Sequence, residues 1–176
     1  EPVPPTSALR PLHTMRLYLI RHAWAGDADA SLWPDDSRRP LTSDGRKRYR
    51  RVAEALVERG VHPQIVAASP YVRARETADL LARSLPQRPP IVELSALEPE
   101  SNVAEALAWT AGRKESEIAW VGHMPGMALL LASLVGAAEG IVEFKKGACA
   151  AVDFEAQPTL GGGQLTWFIT AKMLGC

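Results

Sequence analysis

Short apolar runs alternating with amphipathic stretches constrain this chain more than any other feature. RLYLIR (16–21), QIVAAS (64–69), PIVEL (90–94) and EIAWVGH (117–123) each read as a buried strand. The segments between them carry apolar residues at helical spacing. The first helix is expected to open at Thr42, whose hydroxyl can accept an orphan backbone N–H, to bury Tyr49, Val52, Ala55 and Leu56, and to end at Gly60 in a left-handed conformation. A second follows Pro70 and includes Ala74, Thr77, Ala78, Leu81 and Leu85. A third spans Val103 to Trp109. A fourth opens with Pro125 at its first position, where a missing N–H costs nothing, and runs through Leu131 to Leu134.

The tail breaks the alternation. ACAAVDFE (148–155) and QLTWFIT (164–170) read as two strands joined through Gly161, Gly162 and Gly163. A phosphate-cradling loop would need a helix after those glycines, and a strand follows, so they are expected to form a turn. The order predicts a three-layer α/β/α sandwich with a mainly parallel sheet.

At 176 residues the chain has room for one such domain, expected over residues 15–176. The preceding EPVPPTSALRPLHT (1–14), with four prolines and no periodicity, is expected to be a flexible extension. Lys plus Arg and Asp plus Glu both total 20, and that balance argues against nucleic acid or an anionic membrane as the main partner. No apolar run approaches the roughly 20 residues that span a bilayer. Two cysteines, Cys149 and Cys176, make no disulfide framework, so a cytoplasmic setting is expected. The four histidines show no zinc-ligand spacing, and neither a metal nor another cofactor is expected.

Ligands of open α/β sheets lie outside the carboxyl ends of the strands. Three strand ends here carry polar residues that a strand interior would not tolerate unpaired. The first delivers Arg21 and His22. The second delivers Ser69 and Pro70, then Arg73 in the opening turn of a helix. The fourth delivers Gly122 and His123, again at a helix start. Two guanidiniums, two imidazoles and two helix N-termini at one sheet edge suit an anion with several oxygens, and phosphate fits best.

The motifs RHA, DSRRPLTSDGR, SPYVRARET and GHMPG, in this order and spacing from about Met15 onward, resemble the histidine phosphatase superfamily, which is phosphoglycerate mutase-like in fold. The similarity is greatest to its short SixA-type phosphohistidine phosphatases, which have no cap domain. The resemblance implies that His22 is the nucleophile that accepts the phosphoryl group and that Arg21, Arg73 and His123 hold its oxygens. It implies turnover without a metal, on a phosphohistidine-containing protein or a small phosphate ester. A catalytically inactive phosphate-binding module is the alternative of another class.

Several neighbouring residues are ambiguous in sequence. Met124 stands where the family often has Asn. No carboxylate occupies a motif sharp enough to be the proton donor; Glu98 and Glu100, in LEPES, and Asp27 are in the right zone, and Glu98 is the candidate acid. Arg75 and the run RKRYRR (46–51) read as solvated helix faces. Thr77 reads as a packing residue and His62 as an ordinary loop residue. Trp24 and Trp33 flank the first loop and could wall a pocket.

Overall fold

The computed structural model describes residues 15–138, 140 and 142–176. The expected extension at 1–14 lies outside the described residues. Six strands and four α-helices follow in the anticipated order: β1 (Met15–Arg21), α1 (Ser43–Glu58), β2 (Ile65–Ala68), α2 (Val72–Ser84), β3 (Ile91–Glu93), α3 (Val103–Ala111), β4 (Glu117–Gly122), α4 (Gly126–Val135), β5 (Cys149–Phe154) and β6 (Gln164–Ile169). They form one sheet of order β3-β2-β4-β1-β5-β6. The β1–β4, β2–β4 and β2–β3 pairs are parallel, and β5 and β6 close the sheet antiparallel.

Strand periodicity builds the two cores. Successive side chains point to opposite faces, so Tyr18 and Ile20 of β1 join Val66, Ala68, Ala119 and Val121 against Tyr49, Val52 and Leu56 of α1 and Ala74, Ala78 and Leu81 of α2. Leu17 and Leu19 join Ile65, Ala67, Ile118 and Trp120 against Leu130, Leu131 and Leu134 of α4 and Ala106 of α3. Residues 17–20 are completely buried, each of the large apolar side chains contributing about 1.5–3 kcal/mol. This is the three-layer α/β/α sandwich the sequence predicts, with β1 near its centre.

The topology also fixes where a ligand can enter. The chain leaves β1 towards the face carrying α1 and leaves β4 towards the face carrying α4. Adjacent parallel strands whose exits diverge open a crevice at their carboxyl ends. The register places Arg21 beside Gly122 at that point, and the His22 N–H donates to the Gly122 carbonyl at 2.9 Å. Gly122 tolerates no side chain, because a Cβ there would lie 2.8 Å from the Leu97 carbonyl oxygen.

Helix boundaries depart from expectation where proline is involved. Thr42 caps α1 through Gly45 N–H at 2.9 Å, and Gly60 follows the helix at φ +86°. Pro125, however, precedes α4 as its capping residue after a cis Met124–Pro125 bond, rather than occupying the first helical position. Helix α2 begins at Val72, two residues beyond Pro70, with Tyr71 as its cap. The glycine-containing connection before β6 is a turn, held to α4 by Gly161 and Gly163 N–H groups that donate to the Ser133 and Leu134 carbonyls.

Candidate active site

The four residues expected to carry chemistry converge at the crevice between β1 and β4. His22 and His123 are 7% and 2% exposed, and their ring centroids lie 5.0 Å apart. Arg73, on the first turn of α2, is 4% exposed although it carries a guanidinium, a degree of burial charged residues reach only when partnered.

Hydrogen bonding sets the state of the first imidazole. His22 Nδ1 lies 2.7 Å from the Ala23 carbonyl oxygen. A carbonyl can only accept, so Nδ1 carries the proton and Nε2 keeps its lone pair. Burial pushes the His22 pKa down to about 3, with Arg73, Arg21 and Arg39 adding repulsion against the bond to Ala23. The imidazole is therefore neutral across the physiological range. Thr77, expected to support packing rather than touch a ligand, holds this segment in place: its hydroxyl accepts from Ala23 N–H at 3.0 Å and donates to the Arg73 carbonyl at 2.7 Å. One side chain thus ties the residue after His22 to the backbone of Arg73.

The cations are only partly satisfied. Arg21 donates from Nη1 to the Phe144 carbonyl at 2.6 Å, and its buried Nε has no partner among the described residues. Arg73 donates from Nη1 to the Asp36 carbonyl and from Nη2 to Asp36 Oδ2, at 2.8 and 2.9 Å, and its buried Nε is likewise unpartnered. A guanidinium has five N–H groups, so both retain donors. His123 Nε2 is hydrogen-bonded to Ser69 Oγ at 2.9 Å, while its buried Nδ1 has no partner among the described residues. Burial, reinforced by His22 and Arg73, lowers the His123 pKa to about 2.

Asp36 and Tyr71 lie inside the motifs DSRRPLTSDGR and SPYVRARET without being singled out there. Asp36, on a 3-10 turn (Asp36–Arg38), bridges Arg73 and Arg39, whose Nε lies 2.7 Å from Oδ1, and these guanidiniums hold its carboxyl below the usual range. Tyr71 stacks edge-on against His123 at 4.9 Å and lies beneath the Arg73 guanidinium at 4.9 Å. Glu98 is half-buried on the loop beside Gly122, and its carboxylate makes no hydrogen bond among the described residues. Asp27 is exposed, as are Glu100 and His62. Arg75 pairs with Glu93 at 3.0 Å on the solvent side of α2, as expected. The run 46–51 is not simply solvated: Arg46 pairs with Glu76 at 2.6 Å, Arg48 stacks on Trp24 at 3.9 Å, and Tyr49 is buried. Trp24 walls a cleft that includes Arg21, whereas Trp33 lines a separate cavity with Leu32, Pro34 and Val72.

Comparison with known proteins agrees with this geometry. The family described as the histidine phosphatase superfamily (branch 1) matches residues 17–100. An uncharacterized protein of Picosynechococcus sp. is 34% identical over 117 residues, covering 64% of this chain and 68% of that one. The structure of the protein histidine phosphatase SixA complexed with tungstate is similar over 91% of this chain and 99% of its own, with 27% identity and a TM-score of 0.77. A mycobacterial glucosyl-3-phosphoglycerate phosphatase in complex with VO3 shares the fold at 15% identity and a TM-score of 0.63, over 87% of this chain and 98% of its own. The chain belongs to the histidine phosphatase superfamily. Its fold is that of the SixA-like phosphatases.

The two depressed imidazole pKa values make stability pH-dependent with a definite sign. The unfolded histidines take up protons below about 6.5 and the folded ones do not, so stability is intact above that pH and is lost as pH falls towards 3. Each site contributes a slope of about 1.4 kcal/mol per pH unit within that window. Urea midpoints measured between pH 7 and 4 should fall steeply, and His22→Asn should flatten the fall. An unchanged slope would mean that His22 is not held neutral by the fold.

Proposed function

We propose that the chain is a phosphatase that passes the phosphoryl group through His22 and acts on phosphohistidine in proteins, in a cytoplasmic setting. One observation carries this reading: a neutral His22 with Nε2 unprotonated stands near buried nitrogens of Arg21, Arg73 and His123 that have no hydrogen-bond partner among the described residues. In the first step the Nε2 lone pair attacks phosphorus and the bond from phosphorus to the leaving nitrogen breaks. The guanidiniums neutralise charge on the non-bridging oxygens, where little covalent work is asked of the protein. Water then attacks phosphorus, the P–Nε2 bond breaks to return neutral His22, and inorganic phosphate departs with the water's proton released to solvent. The tungstate complex of SixA, a tetrahedral oxyanion bound by a similar fold, supports the assignment of the pocket.

Leaving-group chemistry supports phosphohistidine as the substrate. An alkoxide expelled from an ester needs a positioned proton donor, worth roughly 10²–10⁴ in rate. A phosphorylated imidazole can take up a proton from solvent on its other nitrogen before the P–N bond breaks, and it then leaves as a neutral ring. Phosphohistidine should therefore be hydrolysed fastest, aryl phosphates more slowly and alkyl phosphates slowest, with Glu98→Gln changing phosphohistidine turnover little. The half-buried, unbonded Glu98 favours a second reading, in which it is the acid of a small-ester phosphatase. Rapid alkyl phosphate turnover that collapses in Glu98→Gln would establish that reading instead.

Metal independence is a separate expectation. Among the described residues no three His, Cys, Asp or Glu side chains group as a metal site. Activity should survive EDTA, and its loss with recovery on adding a divalent ion would contradict the two-step mechanism as written.

A further inference from the structure

Beside the phosphate pocket lies a second, basic cleft of about 430 Å³, walled by Arg21, Trp24, Arg48, Lys145, Lys146 and Lys172. Arg21 belongs to both, so whatever fills the cleft touches the group that holds the phosphoryl oxygens. The concentration is unusual for a chain whose formal net charge is zero. Arg48 donates from Nη2 to the Cys176 carbonyl oxygen at 2.9 Å, and Glu143 lies near the cleft, exposed and paired with Lys145, its charge also felt at Arg21. An exposed pair of this kind contributes little and exchanges readily with another anion.

Lys145 and Lys146 are carried on a segment bonded to the end of β1. Phe144 accepts from Arg21 Nη1, and Gly147 N–H donates to the Arg21 and His22 carbonyls at 3.2 Å. Gly147 adopts φ +73°, and a Cβ there would press on the Trp24 ring at 3.3 Å. The ring therefore lies against the backbone that presents Lys145 and Lys146, and Arg48 stacks on it at 3.9 Å. Backbone bonds thereby tie Lys145 and Lys146 to the end of β1, with Lys145 exposed and Lys146 half-buried.

Resting on the proposed activity towards phosphohistidine, we infer that this cleft recognises an acidic surface of the substrate protein: carboxylates flanking the phosphohistidine enter it while the phosphoryl group reaches His22. The cleft is open, with Lys145 and Lys172 exposed and Lys146 half-buried, which suits a protein face better than an enclosed small molecule. Complementary charge at such a rim acts mainly on encounter and orientation, and salt weakens it.

The test compares two phosphohistidine peptides, one flanked by Asp and Glu and one by Asn and Gln. The wild-type protein should favour the acidic peptide by about tenfold in kcat/KM, through KM, and added salt should erase the preference. The triple variant Lys145→Ala/Lys146→Ala/Lys172→Ala should lose the preference while hydrolysing phosphoramidate at the wild-type rate. Equal use of both peptides by the wild type, or an equal loss on phosphoramidate, would overturn the inference. Fluorescence anisotropy with the unphosphorylated acidic peptide separates it from the catalytic proposal. Salt-sensitive binding that the triple variant lacks supports the cleft even if neither peptide is hydrolysed, and absence of binding counts against it. Tight binding of pyrophosphate with no binding of the acidic peptide would assign the cleft to a compact polyanion instead and refute the inference.

Discussion

Rapid quench of the enzyme with labelled phosphohistidine substrate should trap an acid-labile, base-stable phosphoprotein, and His22→Ala should abolish both the label and turnover. The expectation follows from the tautomer. The Ala23 carbonyl fixes the proton on Nδ1, so the free electron pair lies on Nε2. Burial and three nearby guanidiniums keep the ring neutral, so little of the enzyme is withdrawn from reaction at pH 5 to 8. His22→Asn, closer in shape, should lose the label as fully, which separates chemistry from packing. A turning-over His22→Ala enzyme would end the covalent mechanism, because no other imidazole among the described residues combines this burial with a free Nε2; the Nε2 of His123 is bonded to Ser69.

The second large effect concerns Arg73. Its side chain reaches the crevice from the first turn of α2, and Asp36 holds it from the far side at 2.9 Å. A preorganised donor aimed at developing negative charge is typically worth ~10²–10³ in rate. Arg73→Ala should fall by that factor in kcat. Arg75→Ala, which removes only a solvent-exposed pair with Glu93, should stay close to wild type. The comparison is informative because the two arginines share a helix and a charge and differ in facing. Similar losses from both would show that α2 acts through general electrostatics, whereas a stability change without a kcat change in Arg73→Ala would make Arg73 a structural residue held by Asp36.

The parts that sequence reasoning reached are those encoded by local pattern. Alternating faces of β1, β2 and β4 are visible as runs of four to six apolar residues, and Arg21, His22, Arg73 and His123 stand out because they occupy strand exits. Residues that act through distant contacts were not visible in the same way. Asp36 meets Arg73 across 37 positions of the chain, and in sequence it is one of several acids in a polar loop. The support that Phe144 gives Arg21 comes from a backbone carbonyl, an acceptor every residue possesses. Arg46 and Arg48 looked like solvent-facing charges because helical spacing does not reveal that Glu76 and Trp24 fold against them. Thr77 was assigned to packing for a similar reason: its two hydrogen bonds join segments that only the tertiary fold brings together.

The central position of β1 has a consequence for how this enzyme can fail and how it can change. The strand that ends at Arg21 is hydrogen-bonded on both sides and buried on both faces, so its amides belong to the unit that exchanges with solvent only when the whole domain opens. His22, the proposed nucleophile, therefore has no private route to disorder, and loss of the proposed reaction centre coincides with loss of the fold. Selectivity has no such anchor: the segment bearing Lys145 and Lys146 meets this rigid floor through backbone bonds that are indifferent to side-chain identity. Partner choice could thus drift, residue by residue, above a reaction centre that stays the same.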